Sequence, residues 1–340
     1  MAVLGMEALT LADYRKRINP DNSVADIIEA LEGVNPIVDD AVWIAGNLKT
    51  GNRTTVRASL PEPSIRLINR GVKNSKSTTR QIEDTCIILE DRSEVDTEMI
   101  ALASPNGEAF RHSEDRAYVQ GFANSVAKNM IYGDTSINPF EFNGLSARYN
   151  ICGGEKNTAG YQTVSAGTPG SGTNTSIYIV GWGQRNTVGI YPQGSSAGLS
   201  QRDLGEQDAT DEEGNKFRAL TTLFTWKCGL SVQDIRSNAL LRNIDVSKLD
   251  TLTSAQSLEF MKKLVKTKNT IRQLDNKKIK YKMYVSDNVY TFMENYQLDK
   301  NNVYVSVKEV MGQPPTMYFR GIPVERCDAI SEKEAQVATA

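Results

Sequence analysis

Glu108-Ala-Phe-Arg-His-Ser-Glu-Asp-Arg-Ala-Tyr-Val-Gln-Gly-Phe-Ala-Asn-Ser-Val-Ala-Lys-Asn-Met-Ile-Tyr132, followed at once by Gly133, is the stretch on which the fold turns. Tyr118, Phe122, Val126 and Met130 recur every four residues, which stacks them along one side of an α-helix. Ala117, Gly121 and Ser125 form a row of small side chains beside them. The pattern predicts a helix over 108–132 that Gly133 stops. At ~1.5 Å per residue it spans roughly 40 Å, long for a globular helix and suited to be a rigid spine. The aromatic stripe reads as helix core, not as a cofactor site.

Upstream, residues 46–82 are polar, with short β-like pieces at Thr54–Leu60 and Ile65–Ile68 separated by Pro61-Glu-Pro63. They read as a long hairpin. It carries Lys49, Arg53, Arg57, Arg66, Arg70, Lys73, Lys76 and Arg80 against Glu62. The sign then reverses: between 83 and 98, Glu83, Asp84, Glu90, Asp91, Glu94, Asp96 and Glu98 face only Arg92. Charge runs are ordinarily solvated faces. A basic hairpin with few core-forming residues is nonetheless poorly stable alone. The sharper expectation is that Arg53, Arg57, Arg66, Arg70, Lys73 and Lys76 dock on an acidic surface of a neighbouring copy, made by Glu90, Asp91, Glu94, Asp96 and Glu98.

Residues 1–45 read as an arm with one short helix, Val24–Leu31, capped by Ser23 and stopped at Gly33. Beyond the spine, strands are expected at Ser176–Val180 and Thr187–Tyr191, joined as a β-hairpin through Gly181–Asn186. Further strands are expected at Leu223–Lys227, Leu230–Ile235, Lys280–Val285, Val303–Val307 and Met317–Phe319, with helices at Ser254–Ile271 and Asp287–Tyr296. The class is mixed α+β. Residues 331–340 are small and polar and read as a mobile tail.

The sequence offers little chemistry. Its 340 residues, 39% hydrophobic and 24% charged, are those of a soluble globular chain of roughly two domains. It contains no membrane-length apolar run, and Met1–Tyr14 lacks the pattern of a secretory signal, so the default location is the cytoplasm. Cys86, Cys152, Cys228 and Cys327 are too far apart for a Cys-x-x-Cys site and read as buried thiols. His112, the single histidine, reads as a solvated residue near a helix start. Gly167-Thr-Pro-Gly-Ser-Gly-Thr173 lacks both the lysine and the following helix of a phosphate loop. Asp203–Asn215 reads as an acidic solvated loop without the ligand order of a calcium loop. The basic stretch Lys262–Lys282 fits the wet face of an amphipathic helix. A net charge of −2 disfavours tight general DNA binding. No cofactor, metal or catalytic residue is expected.

Several segments in order carry a resemblance. They are Met130-Ile-Tyr-Gly-Asp134, Asn138-Pro-Phe-Glu-Phe-Asn-Gly-Leu145, Arg148-Tyr149, Thr173–Gly183, Gly189–Gly194, Gly198-Leu199, Trp226–Arg236 and Arg242–Asp245. The chain resembles the major capsid proteins of tailed bacteriophages with the Hong Kong 97-type fold, closest to short-tailed phages of the epsilon-fifteen kind. The resemblance places Gly133, Asp134, Pro139, Phe142, Gly144 and Leu145 at the junction of spine and axial domain. It implies an N-terminal arm over 1–45, an extended loop over 46–82, a peripheral domain over 83–140 and 303–330, and an axial domain over 141–302. It further implies hexamers and pentamers closing into an icosahedral shell around double-stranded DNA, made in the host bacterial cytoplasm. Portal, scaffold and decoration proteins are the implied partners, with no membrane. The chain starts at the arm without a long charged extension, so a separate assembly factor is expected, and no covalent cross-link is predicted. An encapsulin-type compartment is the structural rival, and an enzyme with dispersed carboxylates is the alternative of another class.

Overall fold

A computed structural model describes residues 35–103, 105–167, 172–210, 214–274, 276, 278–297, 305–308 and 316–340. The helix expected at Val24–Leu31 and most of the run Gly167–Thr173 lie outside these residues. The chain divides into two compact units.

The first unit contains Ile88–Val126 and Ala197–Cys228. The spine helix, Gly107–Tyr132, contributes its first part here. Phe110 is fully buried with Val95, Met99 and Ala103, the last two at the helix Thr97–Leu102. Further along, Tyr118 stacks on Phe224 at a centroid distance of 5.6 Å and Phe122 lies 6.3 Å from the same ring. The four-residue period of the sequence is thus the stripe that meets the sheet. The segment expected as an acidic loop is mostly a strand: Leu199–Thr210 pairs antiparallel with Lys216–Trp226. Its outer part pairs through the backbone ladder and carries cross-strand charges in place of apolar alternation. Arg218 reaches both Glu206 and Asp208 at 3.3 Å across the ladder. The register shifts between Asp203 and Gly205, and Gly205 takes φ +72°, a bulge that glycine accommodates.

The second unit contains Val34–Ile87, Ala127–Ser196 and Gly229–Ala340. Its centre is the strand Asn174–Trp182, buried at every position, which contains the expected strand Ser176-Ile-Tyr-Ile-Val180. Ala239–Asp245 and Lys280–Val285 flank it, both antiparallel. Lys280–Val285 continues in parallel to Ile322–Arg326, and the hairpin to Thr316–Phe319 turns on Arg320 and Gly321, both at positive φ. Helices Ser254–Thr270 and Asp287–Gln297 cover one face, packing Phe260, Met261, Leu264, Phe292 and Met293 on Ile177, Ile179, Leu241 and Met283.

Several further expectations are corrected in the strands and the tail. Asn174–Trp182 and Thr187–Tyr191 do not form a hairpin ladder; they share a single pair, Trp182 with Thr187. The connection Gly183–Asn186 sends Thr187–Tyr191 to antiparallel pairing with Gly229–Val232 and parallel pairing with Trp43–Ala45. The strands expected at Leu223–Lys227 and Leu230–Ile235 are one strand, Lys216–Val232. Gly229 does not break it; a Cβ there would come within 2.5 Å of the Thr85 carbonyl, so its role is close backbone approach. The tail 331–340, expected to be mobile, is tied down. Ala338–Thr339 pairs with Ile151–Cys152, Val337 N donates to Asn243 Oδ1 at 2.8 Å, and Glu334 is buried. Ile65–Ile68 is likewise not a strand. Its side chains face solvent, leaving no alternation to fix a register.

Candidate assembly interface

The extended hairpin is built from Gly51–Ser59 against Thr78–Thr85, with residues 60–77 forming a tip without strands. The root is anchored by backbone proximity and by one buried ion pair. Arg148 Nη2 lies 2.7 Å from Asp84 Oδ1, and Ser231 Oγ donates to Asp84 Oδ2 at 2.6 Å. Arg148 also donates to the carbonyls of Leu230 and Asn143, linking the hairpin root to the junction loop. The tip has no such anchorage. Leu60, Ile65, Leu67, Ile68 and Val72 are exposed, Ile65 at 94% and Ile68 at 91%. Arg57, Arg66, Arg70, Lys73 and Lys76 stand exposed among them. Arg53 differs: it pairs with Glu83 on the opposite strand at 2.8 Å. An apolar and cationic surface of this kind gains from burial only against another molecule.

The acidic residues lie on the continuation of Thr78–Asp96 and just beyond it. Glu90, Asp91 and Glu98 are exposed, whereas Glu94 and Asp96 are partly buried. Asp96 is already occupied, accepting from Glu98 N at 2.9 Å as the N-cap of Thr97–Leu102. Glu90 and Asp91 instead border a groove of about 490 Å³ along the spine, with Glu114 on the other wall. Its floor is the small-residue row Ala117, Gly121 and Ser125 beside Tyr118 and Phe122. Phe122, Val126 and Met130 are buried, while Tyr118 is partly exposed at the groove. Half-burial, with Glu114, Asp91, Glu94 and Asp115 around it, pushes the Tyr118 hydroxyl up to about 12. The groove therefore combines negative potential with apolar lining. Sequence reasoning named Glu90 and Asp91 and missed Glu114, whose signal was its place one turn before Tyr118 on the spine.

At the junction, Phe142 and Leu145 are buried and Pro139 is exposed. Gly133 closes the spine with φ outside the left-handed region; glycine is required because a Cβ would strike the Phe142 carbonyl. A Cβ on Gly144 would lie 2.6 Å from the Asn129 carbonyl. The two glycines let the chain double back against the last helical turn, with Gly144 N donating to Gly133 O at 2.8 Å. Asp134 turns inward to the loop and accepts from Ser136 N.

His112 is exposed, and no cluster of three His, Cys, Asp or Glu side chains that could hold a metal ion occurs among the described residues. Burial pushes the thiols of Cys86 and Cys327 up, to about 11 and about 12, away from the thiolate form that reacts. No helix among the described residues is long and apolar enough to cross a membrane.

The family model described as major capsid protein GP7 matches residues 19–338. The chain belongs to that family. This capsid protein is similar to a chain in the near-atomic structure of bacteriophage Epsilon15, at 32% identity over 100% of both chains with a TM-score of 0.74. More distant likenesses include the bacteriophage JBD30 capsid, at 10% identity over 90% of this chain and 91% of that one with a TM-score of 0.48. The SrpI encapsulin of Synechococcus elongatus follows at 13% identity over 70% and 96%, with a TM-score of 0.42. None of the curated proteins compared with it matches. The α+β architecture is the Hong Kong 97-type coat fold, and the molecule is a tailed-phage coat protein that self-assembles into the virion shell.

Proposed function

We propose that this capsid protein builds its icosahedral shell from hexamers and pentamers around double-stranded DNA, each subunit laying its basic extended hairpin on the acidic spine groove of a neighbour. One observation carries the reading: an exposed cationic and apolar tip and an anionic, apolar-floored groove belong to the same chain. Opposite charge steers the encounter and fixes its register, and the apolar side chains supply the area term. Each contact is modest, but a subunit held at several edges is retained by their product.

The division into an N-terminal arm (1–45), extended loop (46–82), peripheral domain (83–140 and 303–330) and axial domain (141–302) describes the parts that would make these contacts. A net charge of −2 suits a container whose DNA must enter and leave without adhering to the wall. Synthesis in the host cytoplasm, a portal, an assembly scaffold and decoration proteins complete the proposal. The JBD30 capsid, for comparison, is described as decorated with minor capsid protein trimers.

The test is charge reversal at Arg57, Arg66 and Arg70, with electron microscopy after size-exclusion chromatography. The triple Glu variant should keep its circular dichroism spectrum and fail to form shells that the parent protein forms. Shells at the parent yield would sink the hairpin reading, and a parent protein that stays monomeric under every assembly condition would sink the shell.

A further inference from the structure

Ile137 and Phe140 are 83% and 86% exposed on the loop between Gly133 and Gly144, yet that loop is densely hydrogen-bonded to itself. Asp134 N donates to Glu141 Oε2 at 3.2 Å, and Thr135 donates through both its N and its Oγ1 to Asn143 Oδ1. Asn138 Nδ2 donates to Glu141 Oε1 at 3.1 Å, and Phe140 N donates to Asn138 Oδ1 at 3.2 Å. Backbone bonds from Ile137 and Asn138 to the Asp134 carbonyl close the turn. The loop's hydrogen-bonding groups stiffen it, which leaves a preorganised apolar knob beside the carboxyl side chains of Asp134 and Glu141, both of which accept the loop's own donors.

The same unit carries a cavity of about 720 Å³ with the opposite character. Its walls are the strand Thr163–Ser165, the pair Ile151–Cys152 with Ala338–Thr339, and the helix Ser254–Thr270. Tyr161, Val164, Val265 and the buried Cys152 line it, and Lys262 and Lys266, one helical turn apart, stand at its mouth. No carboxylate is among its lining residues, and neither lysine makes an ion pair among the described residues.

We propose that the Ile137/Phe140 knob of one copy seats in the Lys262/Lys266 cavity of the next copy. The match is twofold. An aromatic and a branched aliphatic side chain leave water against Tyr161, Val164 and Val265, in a recess otherwise lined mainly by glycine, threonine, serine and asparagine, and the carboxyl groups beside the knob bring opposite charge toward the two ammonium groups, which also favour an aromatic face. Knob and cavity are different surfaces of one chain, so the contact is heterologous and passes from copy to copy. It uses none of the residues of the hairpin contact and is therefore independent of it.

The experiment places the photocrosslinker p-benzoylphenylalanine at position 140 in assembled particles and maps the adduct by mass spectrometry. The expected adduct lies within residues 151–165 or 262–270 of a second copy. An adduct on the extended loop, on a different protein, or on no second copy overturns the proposal. In parallel, Phe140→Ser and the pair Lys262→Glu with Lys266→Glu should each raise the concentration needed for assembly about tenfold. Combining them should cost little more than either alone, because both remove the same contact. Full additivity between Phe140→Ser and the lysine reversals would overturn the knob-in-cavity contact while leaving the hairpin reading intact.

Discussion

The guanidinium of Arg148 lies 2.7 Å from the carboxylate of Asp84, whose side chain is only 2% exposed. Arg148 stands at the end of the junction loop and Asp84 at the root of the extended hairpin, so one ion pair fixes where the hairpin leaves the body of its unit. Removing one member strands a buried charge, the costly way to break such a pair. Arg148→Ala should lower stability by about 3 kcal/mol, read as a fall in the denaturant midpoint. Replacing both partners by apolar residues of similar size should recover much of that loss. A single variant as stable as the parent protein would mean the pair is ornamental.

Gly229→Ala should be destabilising by about 1 to 3 kcal/mol because its new methyl group would press on the Thr85 carbonyl, a backbone atom that cannot swing aside. Gly71→Ala offers the contrast, since a Cβ added there would meet nothing within 4 Å and its φ is not positive. Thermal melts of the two variants should separate clearly, with Gly71→Ala unchanged.

The buried Glu334 ties the end of the chain to the rest of its unit. It accepts from Tyr132 Oη at 2.6 Å, Tyr178 Oη at 3.1 Å and Ser176 Oγ, and it faces Arg242 at 3.6 Å. Arg242 is itself 4% exposed. Glu334→Ala would leave that guanidinium without its carboxylate, and a loss of about 3 kcal/mol is expected. Limited proteolysis should then cut within 331–340, where the parent protein resists. Resistance in the variant would refute the clamp.

Tyr118 supplies a pH-dependent readout. Its hydroxyl is held up at about 12 by half-burial and by carboxylates around the groove, against an ordinary value of 10.0. The folded state therefore keeps a proton that the unfolded chain releases. The stabilisation is complete below the unfolded value and is lost as pH rises through the folded one. Tyr281 is also raised to about 12 and the buried Tyr149 and Tyr178 are raised as well, so ultraviolet titration should show the late-ionising amplitude fall by one tyrosine in Tyr118→Phe and one tyrosine move toward the ordinary range in Glu114→Gln. No change in Glu114→Gln would show that the groove field does not reach the ring.

The spine was legible because its apolar period is local: Tyr118, Phe122, Val126 and Met130 declare a helix face whatever lies opposite. The strand Leu199–Thr210 was not, because its outer part is charged and solvent-facing and lacks apolar alternation, and only the folded ladder sets Glu206 and Asp208 beside Arg218. Gly229 and Gly133 were visible as glycines but misleading as punctuation, since what demands them is a distant carbonyl. Thr187–Tyr191 looked like half of a hairpin because sequence shows the nearest strand, while pairing energy chose Gly229–Val232. The charge reversal near residue 83 was plain in the order of residues alone. That Asp96 serves as a helix cap and that Glu114 completes the groove required the fold.

In the tip, Arg66, Arg70 and Lys73 interrupt Ile65, Leu67, Ile68 and Val72, so no long uncharged apolar run is presented to water. Charges placed in this way act as gatekeepers against nonspecific clumping. On the hairpin docking proposed above, the cations that a correct neighbour would neutralise are the same ones that keep a lone subunit dispersed, which couples solubility before assembly to selectivity during it.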